Sequence, residues 1–273
     1  MQAKLIKLIV ALVTIWALIY PFIQDESPQD SNLDQEDTGA EVVPKVPEKP
    51  LHSVKLPNFS AIRDIKEKKT AFFDFIKPHV EAENKQILEQ RATLEIALMM
   101  VQFDETLTRK QIEKIAMIFT KYDLKGEAIN ESSLKRALRR VDIIPKELAL
   151  MQAANESAWG TSRFARIGLN FFGQWCYTKG CGMVPKRRED AADHEVRAFQ
   201  SVRAAVKSYF RNINTNDAYR ELRSVRAELR AQKAPIDATV LTSGLLSYSE
   251  RGEDYVNELN DMIRHNRAYF DEE

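Results

Sequence analysis

The sequence predicts a mainly α-helical protein that carries one small β element, which places it in the α+β class. Apolar residues recur at the three- and four-residue spacing of an amphipathic helix along much of residues 57–170 and 201–269. Between residues 171 and 201 this spacing is lost, because glycine and proline interrupt a stretch with two strand-like segments. We therefore expect a helical protein with a small β-hairpin in its second half.

Residues 1–23 are predicted to be a membrane-targeting segment. Lys4 and Lys7 precede an apolar run of 16 residues, 8–23, that no charged side chain interrupts. Positive charge before such a run keeps the N-terminus in the cytoplasm and directs the following chain across the membrane. A span needs about 20 apolar residues, which residues 5–23 nearly provide. Because no A-x-A cleavage motif follows, we expect an uncleaved signal anchor, with a removed signal peptide as the alternative.

Charge is distributed unevenly along the chain, although its 40 basic and 40 acidic residues cancel. The balance gives no support for nucleic acid as a partner. Residues 24–56 are rich in proline and acidic side chains, which predicts a disordered tether that holds the following domain away from the membrane. The chain after residue 51 is slightly basic, which suits an anionic polymer and equally a solvated surface.

Residues 57–140 are predicted to form a helical N-terminal region. Apolar spacing predicts one helix over residues 57–77, which Pro78 should end because proline lacks the N–H that a helix interior needs. A longer helix is expected over residues 80–103, and Thr108 should cap the next one. We expect this region to buttress the domain that follows or to occlude its binding surface.

The domain predicted over residues 141–273 carries the β element. After the helix that contains Glu156, segments 183–187 and 195–199 are expected to pair as a hairpin across a polar turn. Further amphipathic segments predict more helices, of which the last covers residues 253–269.

Glu156 is the one charged side chain in an apolar, small-residue segment, residues 148–159. Burying an unpaired carboxylate is costly, so such a glutamate is usually protonated, paired or catalytic. A carboxyl beside an indole, here that of Trp159, is one means by which a glycosidase keeps a general acid protonated near neutral pH. The alternative is a partly exposed glutamate that is hydrogen-bonded to Ser157.

Three motifs accompany this glutamate. They read Glu-Ser-x-Trp-Gly-x-Ser over residues 156–162, Asn-x-Phe-Gly over 170–173 and Tyr-Ser-x-x-Gly-x-x-Tyr over 248–255. In this order they resemble the active-site region of the bacterial β-N-acetylglucosaminidases that cut peptidoglycan, a family that includes flagellar rod-cap hydrolases and autolysin domains. The resemblance covers residues 60 to 270 or so. It implies a lysozyme-like fold, in which a helical lobe and a small hairpin lobe enclose a groove for the glycan strand.

The resemblance also implies three catalytic residues. Cleavage of a β-1,4 glycosidic bond needs a proton on the leaving oxygen and a second group that stabilises or attacks the oxocarbenium-like centre. Glu156 is implied as the general acid and Glu189 as the second carboxylate, whose neighbours in the hairpin turn are Asp190, Asp193 and Glu195. The substrate's own 2-acetamido group is an alternative nucleophile. Tyr248 is implied to line the groove, the alternative being an ordinary residue beside a helix.

Five further residues are predicted to contact the glycan strand: Asn170, Phe172, Gly173, Trp175 and Tyr255. The first three would form the groove floor, and Trp175 would stack on a sugar ring. Each fits the hydrophobic core equally well, and Tyr255 has the helical spacing of a packing residue.

Cys176 and Cys181 are predicted to form a disulfide, because export across a membrane permits one. Their spacing suits a small closed loop beside the active-site segment. Two thiols without a second pair or a histidine motif do not make a zinc site. We assign no metal and no cofactor.

The sequence thus predicts a peptidoglycan hydrolase, an endo-β-N-acetylglucosaminidase that cleaves the β-1,4 bond after N-acetylglucosamine. Alternatives are a lytic transglycosylase or muramidase on the same fold, or a non-catalytic cell-wall-binding protein. The expected partners are peptidoglycan glycan strands and, through residues 5–23, the bacterial inner membrane, whereas a regulatory protein partner is not identified. The predicted location is the periplasmic face of that membrane, or the periplasm if residues 1–23 are removed.

Overall fold

The computed structural model describes residues 49–185, 194–246 and 251–270, and the predicted anchor, Glu189 and Tyr248 lie outside them. The helices of this part are α1 Ile65–Gln102, α2 Arg109–Lys121, α3 Glu131–Arg140, α4 Lys146–Ser157, α5 Arg163–Gly168, α6 Val202–Thr215, α7 Arg220–Ala231, α8 Ala238–Leu241 and α9 Glu253–His265. Its strands are β1 Trp175–Cys176, β2 Gly182–Met183 and β3 Glu195–Arg197. No helix in these ranges has the length and apolar character of a membrane span. The mainly α-helical class with a small β element is confirmed.

Helix α1 runs through Pro78 without a break, so the prediction that this proline ends a helix was wrong. An interior proline removes one helical hydrogen bond and costs about 3 kcal/mol. Phe72 and Ile76 before the proline and Val80 after it are fully buried, and each such side chain contributes roughly 1.5–3 kcal/mol. Packing on both sides of the proline therefore outweighs the local cost. The helix begins at Ile65, later than the predicted start at residue 57. Asp64 caps it, because its side chain accepts from the Glu67 N–H at 2.8 Å.

Thr108 caps α2, as the sequence predicts, through a reciprocal pair of hydrogen bonds with Gln111. The central helix is α4, which packs against α1, α8 and α9 and buries nearly all of its side chains before Asn155. After α4, three consecutive residues have positive φ, which is the left-handed backbone region. They are Ala158, Trp159 and Gly160, and φ of Gly160 is 76°. A Cβ there would lie 2.5 Å from the Phe59 ring, so only glycine fits this exit.

The β element is a three-stranded antiparallel sheet of order β1-β3-β2. The predicted pairing of segments 183–187 and 195–199 is present but shorter, with Met183 opposite Val196. The sequence did not predict β1, which pairs with the other edge of β3. A disulfide joins Cys176 at the end of β1 to Cys181 before β2.

Buried apolar residues from both sides of residue 140 form one continuous core. Helix α1 packs against α3, α4 and α6, so the predicted N-terminal region and the domain after it share this core. Residues 51–56, the last part of the predicted tether, lie against the same unit, because the Leu51 N–H donates to the Ile167 carbonyl at 2.9 Å. The functional division at residue 140 stays a prediction from the sequence.

Candidate active site

An open groove of about 820 Å³ crosses the described structure. It is lined by the last turn of α4, the loop after α5, the outer residues of β1 and β3, one face of α6 and the start of α9. The loop between α2 and α3 lines it as well. Elements of both predicted regions therefore contribute to the same groove.

Glu156 lies in the last turn of α4 and presents its carboxyl to the groove. The side chain is open to solvent from the groove, while packed protein surrounds it on the other sides. Burial raises the pKa of the Glu156 carboxyl, a hydrogen bond from Tyr255 lowers it, and the negative charge of Glu258 raises it further. The net direction is upward, which favours a carboxyl that keeps its proton at higher pH than a fully solvated glutamate does.

Gly173 leaves room for this carboxyl. It has φ of 63°, and a Cβ at this position would lie 3.3 Å from Oε2 of Glu156. Any larger residue would be strained in its backbone and would crowd the carboxylate. Gly173 thus lines the groove beside Glu156; its predicted contact with the glycan strand stays a prediction.

A chain of buried hydrogen bonds ends at Glu156. Tyr209 Oη donates to Gln152 Oε1 at 2.5 Å, and Gln152 Nε2 donates to Tyr255 Oη at 3.0 Å. Tyr255 Oη then donates to Glu156 Oε1 at 3.4 Å. Gln152, Tyr209 and Tyr255 are each less than 5 % exposed, so the chain fixes the direction from which the carboxyl receives its hydrogen bond.

Gln152 and Tyr209 were not singled out from the sequence. Gln152 precedes Glu156 by one helical turn in an otherwise apolar segment, so it lies on the same face of α4. A polar residue at that spacing from a candidate acid is the signal that would have found it. Tyr209 occupies an ordinary apolar-face position of α6 and carries no comparable signal.

Ser157 and Trp159 are engaged away from the carboxyl. The Ser157 hydroxyl donates to the Ala153 carbonyl at 2.6 Å and accepts from the Gly160 N–H at 2.9 Å, which stabilises the exit from α4. The Trp159 indole packs edge-on against Phe72 in α1 rather than lining the groove. Burial raises the pKa of the Glu156 carboxyl, and the indole does not line the groove beside it.

Asn170 is buried beneath the groove and organises the loop after α5. Its Nδ2 donates to the carbonyls of Gln174 and Arg197 at 2.8 and 2.9 Å, and its Oδ1 accepts from the N–H of Gln174 at 3.1 Å. These bonds use its amide within the protein and join the loop to β3. Phe172, which follows, stacks on Tyr209 with 4.0 Å between ring centroids.

Trp175 gives the groove an exposed aromatic wall. It lies in β1 with 54 % of its surface exposed, and its ring stacks on His194 with 4.0 Å between centroids. The neighbouring Tyr177 is 76 % exposed and lines the groove too. The ring surface that stays exposed, on the side of Trp175 away from His194 and on Tyr177, suits the face of a sugar ring.

The second predicted carboxylate, Glu189, lies outside the described residues with Asp190 and Asp193. Glu195 is described, and it is buried. Its two oxygens accept from the N–H groups of Gly180 and Gly182 at 2.9 and 2.8 Å, so it stabilises the disulfide loop. Tyr248 also lies outside the described residues.

The family model described as mannosyl-glycoprotein endo-beta-N-acetylglucosaminidase matches residues 131–268, about half of the chain. The chain belongs to the glucosaminidase family. It is also similar to Protein bax of Escherichia coli (strain K12), with 30% identity over 216 residues that cover 79% of this chain and 76% of that protein. No solved structure matches it significantly.

Membership of the glucosaminidase family supports a glycan hydrolase, with peptidoglycan as the substrate class. The helical body with its small antiparallel sheet is the lysozyme-like arrangement that the resemblance implies. Glu156 and most of the residues that line the groove lie within the matched range. Asp123 also lines the groove but lies before that range.

Proposed function

We propose that this glucosaminidase-family protein is a peptidoglycan endo-β-N-acetylglucosaminidase that cleaves the β-1,4 bond after N-acetylglucosamine. One observation carries the proposal: a carboxyl with a raised pKa, that of Glu156, stands on the floor of an open groove.

Glu156 is proposed as the general acid. It would protonate the glycosidic oxygen as the bond to the anomeric carbon breaks and positive charge develops on the sugar ring. A raised pKa serves this step, because the acid must hold its proton near the working pH. After transfer, the Glu156 carboxylate accepts the Tyr255 hydrogen bond, which stabilises its negative charge.

Glu189 is proposed as the second carboxylate, acting as base or nucleophile, with Tyr248 nearby. The motif order of the family supports this assignment, and the separation of the two carboxyls would decide the stereochemical outcome. Glu189→Gln should lower kcat and leave glycan binding intact. Full activity in this variant would transfer the role to the 2-acetamido group of the substrate.

Trp175 is proposed to stack on a sugar ring, with Phe172 and Gly173 as the floor beneath the scissile bond. The exposure of Trp175 in the groove supports its part. Asn170 would act indirectly, by holding the loop that carries this floor.

The decisive experiment incubates the full-length protein with purified sacculi and identifies borohydride-reduced products by mass spectrometry. Reduced N-acetylglucosamine ends are expected from the wild type. Glu156→Gln should lose about 10²–10⁴-fold in rate, the usual contribution of a general acid. Glu147→Gln, on the first turn of the same helix, is the matched control and should retain activity.

Two other outcomes would overturn the proposal. Reduced or anhydro-muramic ends would assign the protein as a muramidase or lytic transglycosylase on the same fold. Wall binding without release of any glycan would leave a non-catalytic cell-wall-binding protein.

We further propose that residues 5–23 anchor the protein in the inner membrane with its catalytic part in the periplasm. The apolar run after Lys4 and Lys7 supports this location. The full-length chain should sediment with membranes and resist extraction at high salt, while Val13→Arg should release it. Recovery of a soluble, shortened chain from cells would indicate a cleaved signal peptide instead.

A further inference from the structure

One arm of the groove follows α6 away from Glu156. Ser208, Asn212 and Thr215 line it at four- and three-residue spacing, so they share one face of the helix. Tyr209 meets the floor residue Phe172 near the start of this face. At about 1.5 Å of rise per residue, Thr215 lies roughly 9 Å further along the helix axis. The arm is therefore long enough to hold a part of the substrate that is not being cleaved.

Opposite charges meet in this arm. Among the described residues that line the groove, the cations are Arg197 and Arg211 and the carboxylates are Glu156 and Asp123. Arg211 Nη2 lies 2.8 Å from Asp123 Oδ1, and both side chains are half exposed. An exposed pair of this kind contributes little to stability, so an incoming anion can replace one partner at small cost.

Arg197 extends the positive surface toward β3. Its side chain is exposed, and its Nη1 donates to Ser208 Oγ over a long 3.4 Å. The planar guanidinium group of arginine matches the two oxygens of a carboxylate. Arg211 on α6 and Arg197 on β3 together make the arm suitable for an acidic ligand.

Asp123 is held in place by the N-terminal region. It has φ of 56°, and Arg140 Nη1 donates to the carbonyls of Tyr122 and Asp123 at 2.7 and 3.0 Å. The loop that carries it joins α2 to α3 and precedes the residues matched by the family model. The carboxylate that pairs with Arg211 thus comes from a part of the chain that lies outside the match to the family model.

We infer that this arm is a carboxylate-binding subsite, in which Arg211, assisted by Arg197, binds the acidic groups that muramic acid and its peptide carry along a peptidoglycan strand. Asp123 competes with the substrate for Arg211 and thereby tunes the affinity. The inference rests on the proposed function, since it takes peptidoglycan as the substrate. It assigns selectivity for charged over neutral glycans to a position remote from the scissile bond.

Binding to the full-length Glu156→Gln protein tests the inference without turnover. The probes are soluble peptidoglycan strands with free carboxyl groups and the same strands with those groups converted to neutral methylamides. The free strands should bind about tenfold more tightly, as expected for one charge-assisted hydrogen-bonded contact. Adding Arg211→Gln should abolish this preference, and adding Asp123→Asn should tighten binding of the free strands.

Arg220→Gln is the matched control, because Arg220 also pairs with an exposed aspartate, Asp217, but does not line the groove. It should leave the preference unchanged. Equal affinity for the two probes, or a preference that survives Arg211→Gln, would overturn the subsite. Absence of binding to either probe would overturn it as well. Turnover of sacculi by the wild type is measured separately. The proposed activity can therefore fail while the subsite is supported, and the subsite can fail while the activity is supported.

Discussion

Among single residues, Glu156 titrates in the direction that its proposed role requires. The protein that packs around its carboxyl raises the pKa, so the proton is retained to higher pH than on a fully solvated glutamate. Because the acid acts only when protonated, kcat/KM should fall as pH rises through this pKa. Rates on sacculi from acidic to alkaline pH would show this decline, which forms the alkaline limb of the pH–rate profile. Glu147→Gln should show the same decline. A rate that does not decline with rising pH would contradict the assignment of Glu156.

Tyr255 should influence the pH at which the rate declines. Its hydrogen bond lowers the pKa of Glu156, so Tyr255→Phe should shift the alkaline limb to higher pH and reduce kcat. Loss of the hydroxyl also leaves the buried Gln152 Nε2 without its acceptor, which should lower the free energy of unfolding by about 1–3 kcal/mol. The measurements are pH–rate profiles and urea unfolding.

Tyr269→Phe is the control for this variant, because Tyr269 packs on Phe73 and does not line the groove. It should leave the pH–rate profile where it is. If the limb also stays in place in Tyr255→Phe, the Tyr255 hydroxyl has no effect on the acid.

The sequence identified those site residues that carry a local signal. A charged side chain in an apolar segment identified Glu156, and the Asn-x-Phe-Gly motif identified the floor. The role of Asn170 as a buried brace could not be predicted, because its partners come from β3 and the loop before β1. Asp123 was missed for the same reason, since only the packing of the N-terminal helices brings it to the groove.

Among the elements, α1 shows where tertiary packing overrides a local rule. Pro78 is exposed within this helix and buries nothing itself. Pro78→Ala would restore a helical hydrogen bond and remove the ring clash, against a smaller gain of freedom in the unfolded chain. We expect the free energy of unfolding to rise by about 1–2 kcal/mol, as measured by urea unfolding.

Pro235 provides the matching control, since it is exposed in the loop between α7 and α8 where no helical hydrogen bond is missing. Pro235→Ala should leave stability unchanged or slightly reduced. A destabilised Pro78→Ala protein would mean that the proline is adapted to its place in α1.

The helices were predictable and β1 was not, for a physical reason. A helix of three or more turns repeats its apolar spacing often enough to be recognised, as α6 and α9 do. Strand β1 has two residues, Trp175–Cys176, and cannot show an alternating pattern. Its pairing depends on β3, which lies about twenty residues later in the chain.

In the whole molecule, the two predicted regions are joined by a buried charge cluster around Asp142. Its carboxylate lies 3.1 Å from Arg91 Nη1 in α1 and 2.8 Å from Arg230 Nη2 in α7. Arg226 is fully buried beside it and donates to the carbonyl of Ile143 at 2.9 Å. Burial alone would raise the pKa of Asp142, but the Arg230 hydrogen bond and the charges of Arg226 and Arg91 hold it below its ordinary value.

Asp142→Asn should therefore destabilise the whole fold. It removes the carboxylate that pairs with Arg91 and Arg230 and that offsets the charge of the buried Arg226. Removing one partner of a buried ion pair costs about 3–5 kcal/mol. A carboxyl whose pKa is lowered by folding stabilises the protein above its unfolded pKa and loses this effect as pH falls through its folded pKa. The difference between wild type and variant in urea unfolding should accordingly be large at neutral pH and narrow in acid.

Asp217→Asn removes an equally charged residue from the exposed pair with Arg220 and should leave the free energy of unfolding nearly unchanged. This control separates the effect of burial from that of a lost charge. An Asp142→Asn protein as stable as this control would mean that the cluster does not hold α1 and α7 together. Asp123 competes with the substrate for Arg211. If loss of the cluster also displaces the loop that carries Asp123, binding of free-carboxyl strands should therefore tighten, as it should in Asp123→Asn.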